Sequence, residues 1–388
     1  MAPSDNDKRH GVRSVQLATT DYEGWLSRWF TADGDDLERK HVKMRVGPFE
    51  FLRATFYRWS ERWPVACPDL ADAPQVLGVG DVHVENFGTW RDAEGRLVWG
   101  VNDVDEAYAI PYTNDLVRLA TSAQLAHDIE LDPGAACAAI LTGYSDRITD
   151  KPRPFLLAEH EGLRELTTDR LKHPEKFWAK KFHADNGGPE LMEVATVPPD
   201  ADQLLAAALP EGGLPYDRYR RRAGLGSLGR PRFAALATWR GGRVARDIKA
   251  LAPSSWLWAH DTPDHAAIAP IRCLELLSCA GRSPDPTVAV HGRWIVRRLA
   301  PDSSRIELGD LPKQKKASRR EQQAVLLSCM GQELANLHLA SQFALPAVHA
   351  HLAARSADWL QDAASVMTRV TTEDFQDYGR RSASRGSP

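Results

Sequence analysis

The stretch "VLGVGDVHVENFGTWRDAEGRLVWGVNDVDEA", residues 76–107, decides how the chain is read. Two short apolar runs, "VLGVG" and "LVWGV", each end in a polar turn. Asp81, His83, Glu85 and Asn86 crowd the first turn, and Asp103, Asp105 and Glu106 crowd the second. Asp and Asn favour turns because their side chains bond nearby backbone, so a single cluster of this kind carries little information. Here both clusters follow buried strands, which puts carboxylates at strand ends where open sites form. Carboxylates and an amide oxygen are hard ligands of the type Mg²⁺ prefers, and such a metal shares its shell with substrate phosphates. Asn86 with Asp103 is the candidate Mg²⁺ pair, and Asp81 is left as an unliganded base. His83 and His41 lack a second His or Cys at ligand spacing, so zinc is not expected.

Outward from this stretch, the 388 residues are 43% hydrophobic and 26% charged, enough for two lobes and a real core. A net charge of −3 gives no electrostatic case for nucleic acid or an anionic membrane as partner. No apolar run approaches the roughly 18 residues of a spanning helix. The opening "MAPSDNDKRHGVRS" lacks an apolar signal core, so a cytoplasmic location is expected. The five cysteines (Cys67, Cys137, Cys273, Cys279, Cys329) show no paired metal spacing, which suits reduced thiols in that compartment.

Along the chain, residues 1–40 read as a polar, partly extended segment. "PFEFLRATFYRWSERW" (48–63) has the apolar spacing of one helix, with Pro48 suited to its first turn. "PQVLGVG" is a buried strand, and "TWRDAEGRLVWGV" a hairpin turning at Asp92–Gly95. "TNDLVRLATSAQLAHDI", "PGAACAAILTGYSDRI" and "PFLLAEHEGLRELTTDRL" read as three helices. Residues 172–215 read as a connector with some helix. "RFAALATWRGGRVARDIKAL" (232–251) is a hairpin with Gly241–Gly242 at its tip, and "GRWIVRRL" a further strand. From about 317 the chain is helical, ending in a frayed "SASRGSP". The basic runs "DRYRRRAG" (217–224) and "KQKKASRR" (313–320) read as solvated faces, and Arg53 as a helix residue facing either solvent or acceptor.

"GDVHVEN" resembles the GD-x-H-x-x-N loop of aminoglycoside-phosphotransferase-like small-molecule kinases. "GVNDVDEA" resembles their metal-binding segment, and "NDLVRLA" the helix that follows. The resemblance implies Asp81 as catalytic base, with His83 in the same loop. It implies Asn86 and Asp103 as metal ligands, with Asp105 as the alternative to Asp103, and Asp115 as the helix-start residue that steadies the site. The His that usually stands two before the base is Val79 here. The wider chain, over about 40–345, is similar to a bacterial family catalogued as domain of unknown function 2252. "KMRVGPFEFLRATFYRW", "GDVHVENFGTW", "VNDVDEAYAIPYTNDLVRLATS", "GLGSLGRPRFAAL", "IKAL" and "WIVRRL" all look like its blocks, in its order.

A kinase-like site also needs a nucleotide clamp. "GLGSLG" (224–229) is a literal G-x-G-x-x-G, and Lys249 follows twenty residues past Gly229 on a return strand. Glycines let backbone amides approach phosphate oxygens, and a lysine adds a point charge. Gly224, Gly226, Ser227, Gly229 and Lys249 are the candidate nucleotide-binding residues, with Glu275 in "PIRCLELLS" as the partner for Lys249. The family's Glu after this lysine is Ala250 here. "GQELANLHLAS" (331–341), with Asn336 and His338, resembles the helix that normally precedes the catalytic loop.

The glycine loop thus follows the catalytic loop instead of preceding it, so the expected fold is α+β: a kinase-like two-lobe fold, circularly permuted. Its expected divisions are a polar segment (1–40), a helical catalytic lobe (41–215), a β-rich nucleotide lobe (216–310), C-terminal helices (311–375) and a flexible tail (376–388). The expected activity is ATP- and Mg²⁺-dependent phosphoryl transfer to a small-molecule hydroxyl. The alternatives are nucleotidyl transfer in the same site, or a nucleotide-binding pseudokinase acting on a protein partner.

Overall fold

The polar opening hides an apolar stripe. Val15, Ala18, Tyr22, Trp25 and Leu26 recur at helical spacing, so Val15–Leu26 winds into α1, capped by Ser14. Gly34–Lys43 follows as α2, with Asp33 accepting from the Asp36 N–H. Over the described residues 13–40 the expectation of a partly extended segment is overturned, because the apolar residues of α1, spaced along twelve residues, outweigh the average composition, and residues 1–12 lie outside the described residues. The computed structural model describes residues 13–168, 173–182, 190–260, 271–303, 305, 306, 308, 311 and 318–383.

The single helix expected over 48–63 is two, α3 (Pro48–Ala54) and α4 (Phe56–Ala66). Thr55 breaks them at φ −131°, its hydroxyl donating to the Phe51 carbonyl at 2.6 Å. A short α5 (Pro68–Ala71) leads into β1 (Gln75–Gly78). The hairpin strands are β2 (Phe87–Arg91) and β3 (Leu97–Val101), and β4 (Tyr108–Pro111) returns antiparallel to β1. Helices α6 (Tyr112–Leu125) and α7 (Pro133–Ile148) follow as expected. The third helix does not. Its first residues form β5 (Phe155–Leu156), paired to β3, and a single 3₁₀ turn before α8 (Glu161–Thr168). Pro154 and Phe155 suit an edge strand better than a helix start, and the apolar Phe155 fills the space beside Trp99.

Within the expected connector stand α9 (Pro174–Phe182), β6 (Leu191–Glu193) and α10 (Pro199–Ala207). Most of "NGGPE" lies outside the described residues. The six-stranded antiparallel sheet starts there, at β6, and not at 216. It continues with β7 (Asp217–Arg221), β8 (Arg232–Trp239) and β9 (Gly242–Ala250). The β8–β9 tip is Arg240–Gly241, one residue earlier than expected, because both have positive φ (47° and 83°), as a two-residue twist-matched turn requires. "DRYRRRAG" is not a solvated face. Arg221 bridges Glu190 and Asp247 at 2.7 Å each, and Arg220 and Arg222 both pair with Asp36 of α2 at 2.7 Å.

Short helices α11 (Ser255–His260) and α12 (Cys273–Leu277) precede β10 (Ala289–His291) and β11 (Trp294–Arg298), which give the sheet order β10-β11-β9-β8-β7-β6. The chain ends in α13 (Arg319–His338), α14 (Leu345–Ala353) and α15 (Trp359–Ala383). α15 runs well into the expected tail, and residues 384–388 lie outside the described residues, as does most of "KQKKASRR". The fold is α+β. α6, α7, α13 and α15 share one large apolar core with the two small sheets. No helix is long and apolar enough to cross a membrane among the described residues.

Candidate active site

The loop after β1 is held from behind by one carboxylate. Asp115, in the first turn of α6, accepts from the Val79 N–H at 2.6 Å and the Gly80 N–H at 3.0 Å. His338, at the end of α13, meets the same carboxylate at 3.1 Å and the Tyr144 hydroxyl at 3.0 Å, all three side chains buried. An imidazole therefore does stand behind this loop, supplied by α13 where Val79 provides none. Three residues past His338, the Ser341 hydroxyl accepts from the Leu77 N–H of β1 at 2.8 Å. Gly80 turns the loop at φ 78°, and a Cβ there would lie 2.7 Å from the Glu106 carbonyl.

Asp81 sits on the cleft side of this turn and pairs with Arg118 of α6. The Arg118 guanidinium is fully buried, lies 4.9 Å from the Phe56 ring centroid and donates to the Leu52 carbonyl at 2.9 Å. Burial pushes the Asp81 carboxyl above the usual carboxylate range, and the Arg118 charge opposes that push. His83 lines the same cleft, and its Nδ1 accepts from the Glu85 N–H at 3.2 Å. Burial, with Arg53 nearby, drives its pKa well below the usual histidine value, so the ring is neutral. Arg53 pairs with Glu85 at 2.5 Å.

Asn86 joins the two polar turns. Its amide donates to the Asp103 carbonyl at 2.8 Å and the Asp81 carbonyl at 3.3 Å, while its Oδ1 accepts from the Asp103 N–H at 2.9 Å. Asp103 and Asp105 face the β-rich sheet. Lys249, buried on β9, lies 2.9 Å from Asp103 and also pairs with Asp105. Arg297 of β11 approaches both carboxylates, at 3.6 and 3.4 Å. Burial works against ionisation of Asp103, but the Lys249 and Arg297 charges prevail and hold it well below the usual range. Burial and the Asp103 charge push Asp105 the other way, upward. Glu106 accepts from Arg230 at 3.0 Å and from the Ser255 N–H at 2.6 Å, which ties the loop to α11 and to the residue after the glycine run.

Glu275 is not the partner of Lys249. It pairs with Arg272 at 2.7 Å, and its side chain is 51% exposed. α12 is only five residues long and buries Cys273 and Leu276, which turns Glu275 outward. Asp103 and Asp105 occupy the lysine in its place.

The glycine run joins β7 to β8 directly over Asp81. Gly224 and Gly229 have φ of 79° and 94°, and a Cβ on Gly226 would lie 3.2 Å from Asp81 Oδ2. Gly224, Gly226 and Ser227 line a cleft enclosing about 690 Å³, open mouth included, together with Asp81, Asn86, Asp103 and Asp105. Gly229 instead packs on Leu37 of α2, where a Cβ would come within 2.6 Å. Sequence reasoning did not identify Arg118, Arg230 and Arg297 as site residues. Each stands in an apolar or basic run, and only the fold shows which carboxylate it meets. The donors Asp103 and Asn86 fit a hard divalent cation whose remaining ligands come from substrate and water. Among the described residues no group of three or more His, Cys, Asp or Glu side chains is arranged to hold a metal unaided.

No curated protein and no solved structure matches the chain. Residues 33–170 match the family described as "Uncharacterized protein conserved in bacteria (DUF2252)", a span that holds both polar turns and ends before the glycine run and Lys249.

Proposed function

We propose that this protein is an ATP- and Mg²⁺-dependent phosphotransferase with a circularly permuted kinase-like fold, which moves a γ-phosphoryl group to a hydroxyl of a small molecule. One observation carries the reading. Lys249 and Asp103, 146 residues apart, meet at 2.9 Å beside the cleft that holds Asp81 and Gly226. The permutation is supported at the other join, where His338 and Ser341 contact the residues that hold and precede the catalytic turn.

In this reading the acceptor hydroxyl approaches Asp81, whose raised carboxyl pKa suits it to take the proton. The acceptor oxygen bonds to the γ-phosphorus, the bond to the ADP oxygen breaks, and the proton passes to Asp81 Oδ2, since Oδ1 is engaged by Arg118. Arg118 and the Asn86 amide keep Asp81 aimed without a covalent intermediate. Lys249 and the backbone of Gly224 and Gly226 bind phosphate oxygens. Asp103 and Asn86 would hold Mg²⁺, which when bound supplies charge neutralisation to the phosphates.

The test is mass analysis of a metabolite extract incubated with the protein, ATP and Mg²⁺. A metabolite that gains one phosphoryl group, and does not gain it with Asp81→Asn, is the expected result. Gain of a nucleotidyl group would replace the reading with nucleotidyl transfer. ATP bound tightly with no product in any extract would replace it with a pseudokinase.

A further inference from the structure

Most cations at the cleft have an acid. Lys249 has Asp103 and Asp105, Arg118 has Asp81, Arg230 has Glu106, and Arg53 has Glu85. Lys40 does not. It projects from α2 into the cleft, is 3% exposed, and makes one hydrogen bond, to the Gly226 carbonyl at 3.2 Å. Among the described residues no carboxylate oxygen lies within 4.0 Å of it. The Tyr57 ring centroid lies 5.9 Å away and offers only a weak cation–π contact. An ammonium has three donors, and among the described residues only the Gly226 carbonyl meets one of them. A buried charge left this way costs free energy in the unliganded protein unless something else meets it. The charged groups around it are Glu23 of α1, Arg230 after the glycine run, Asp81 of the catalytic turn and Glu106 of the carboxylate turn.

Its position narrows what that something is. Gly226 is the middle glycine of the loop, and a Cβ on it would lie 3.2 Å from Asp81 Oδ2. Lys40 is thus at the seam between the glycine loop and the base, whereas Lys249 is at the Asp103 side. In a site that hands a phosphoryl group to a hydroxyl held by Asp81, this seam is where the transferred group lies.

We propose that Lys40 binds the terminal phosphate of the nucleotide, as a second phosphate lysine contributed by the N-terminal helical segment. The identity of this oxyanion rests on the phosphotransferase reading. The geometry also explains why α2 is pinned to the β-rich sheet. The Asp33 N–H donates to the Gly229 carbonyl at 3.0 Å, and Asp36 pairs with Arg220 and Arg222, so α2 is fastened to the residues on both sides of the glycine loop.

The experiment is calorimetric titration of the full chain with Mg–ADP and with a non-hydrolysable β,γ-imido ATP analogue. The parent should bind the analogue more tightly than ADP. In Lys40→Met the analogue should weaken roughly ten- to hundredfold, as expected for one charge-assisted hydrogen bond, while ADP changes little. Lys40→Arg should recover most of the difference. A Lys40→Met protein that keeps the parental preference overturns the proposal. So does equal weakening of both nucleotides, which would mark a structural role.

A measurement on the parent alone covers the case in which Lys40→Met does not fold. Burial lowers the Lys40 ammonium to about 8, so the preference for the analogue should fade as pH rises from 7 to 9.5. A preference constant over that range overturns the proposal. Should the parent bind neither nucleotide, the phosphotransferase reading falls, and titration with inorganic triphosphate then decides Lys40 by itself. Loss of that binding in Lys40→Met would keep the anion site, and equal or absent binding would end it.

Discussion

The fully buried Arg118 pairs with the half-buried Asp81, which faces the cleft on its other side. Asp81→Asn keeps the shape and one hydrogen bond to Arg118 but cannot accept a proton at neutral pH. Mg–ATP affinity should remain within about twofold, while transfer falls by roughly 10²–10⁴, the usual worth of a positioned base. Titration calorimetry and a transfer assay check both halves, and transfer at the parental rate would remove Asp81 as the base. A buried acid elsewhere, Glu333, makes a stability prediction. Glu333 on α13 accepts from the Val101 N–H at 3.2 Å, and burial pushes its pKa up to about 7. A carboxyl raised in the folded state favours folding below its unfolded pKa, near 4.3, and that contribution is lost as pH rises through about 7. Glu333→Gln keeps the acceptor and has no charge to bury. At pH 8 it should be more stable than the parent by about 2–3 kcal/mol, and at pH 4 no more stable. Urea denaturation at the two pH values measures this, and an equal difference at both would contradict it.

At the scale of elements, the core depends on how closely α7 and α13 approach. A Cβ on Gly331 would lie 2.1 Å from the Ile140 carbonyl oxygen, and one on Gly143 would lie 2.0 Å from the Ser328 carbonyl oxygen. The obstacles are backbone, so no side chain can move aside. Gly331→Ala should force the helices apart at a cost of about 3 kcal/mol or more, despite alanine's better helix propensity. The denaturation midpoint reports it, and an unchanged or raised midpoint would show that the helices part freely. This packing matters to the site because α13 carries both Glu333 and His338, and His338 reaches the Asp115 carboxylate that holds the turn bearing Asp81. In the glycine loop, a Cβ on Gly226 would already lie 3.1 Å from the Arg53 carbonyl and 3.2 Å from Asp81 Oδ2, so Gly226→Val should weaken nucleotide binding in a calorimetric titration and also lower the denaturation midpoint.

Across the whole molecule, the six-stranded sheet and the turn beside the helical core meet through charged residues. Lys249, Arg297 and Arg230 come from the β-rich sheet or the loop that serves it, and Asp103, Asp105 and Glu106 come from the turn beside the helical core. A ligand that bridges these surfaces stabilises the fold by mass action. ATP at a hundredfold excess over its dissociation constant should add about 2.7 kcal/mol, and only with Mg²⁺ or Mn²⁺ present. Thermal unfolding with ATP plus a chelator should show little shift, and an equal shift would remove the metal from the reading. Asp103→Ala should lose the metal-dependent part, because it removes the cleft carboxylate that the cation would meet.

The sequence alone determined the parts whose physics is local. Buried apolar runs ending in Asp, His and Asn announced two polar turns, and alternation with a Gly-containing tip announced the β8–β9 hairpin. The G-x-G-x-x-G run lies at a turn between strands because positive φ is inexpensive only for glycine. α1 was also legible in principle, since its apolar spacing is present, but the polar average obscured it. The tertiary structure decided every pairing between distant charges. Lys249 chose Asp103 and Asp105 over Glu275, Arg118 chose Asp81, and Lys40 was left with a carbonyl. One strand or helix cannot specify such choices, because an ion pair depends on which faces the fold turns toward each other, and that is settled by burying the apolar surface of the whole chain.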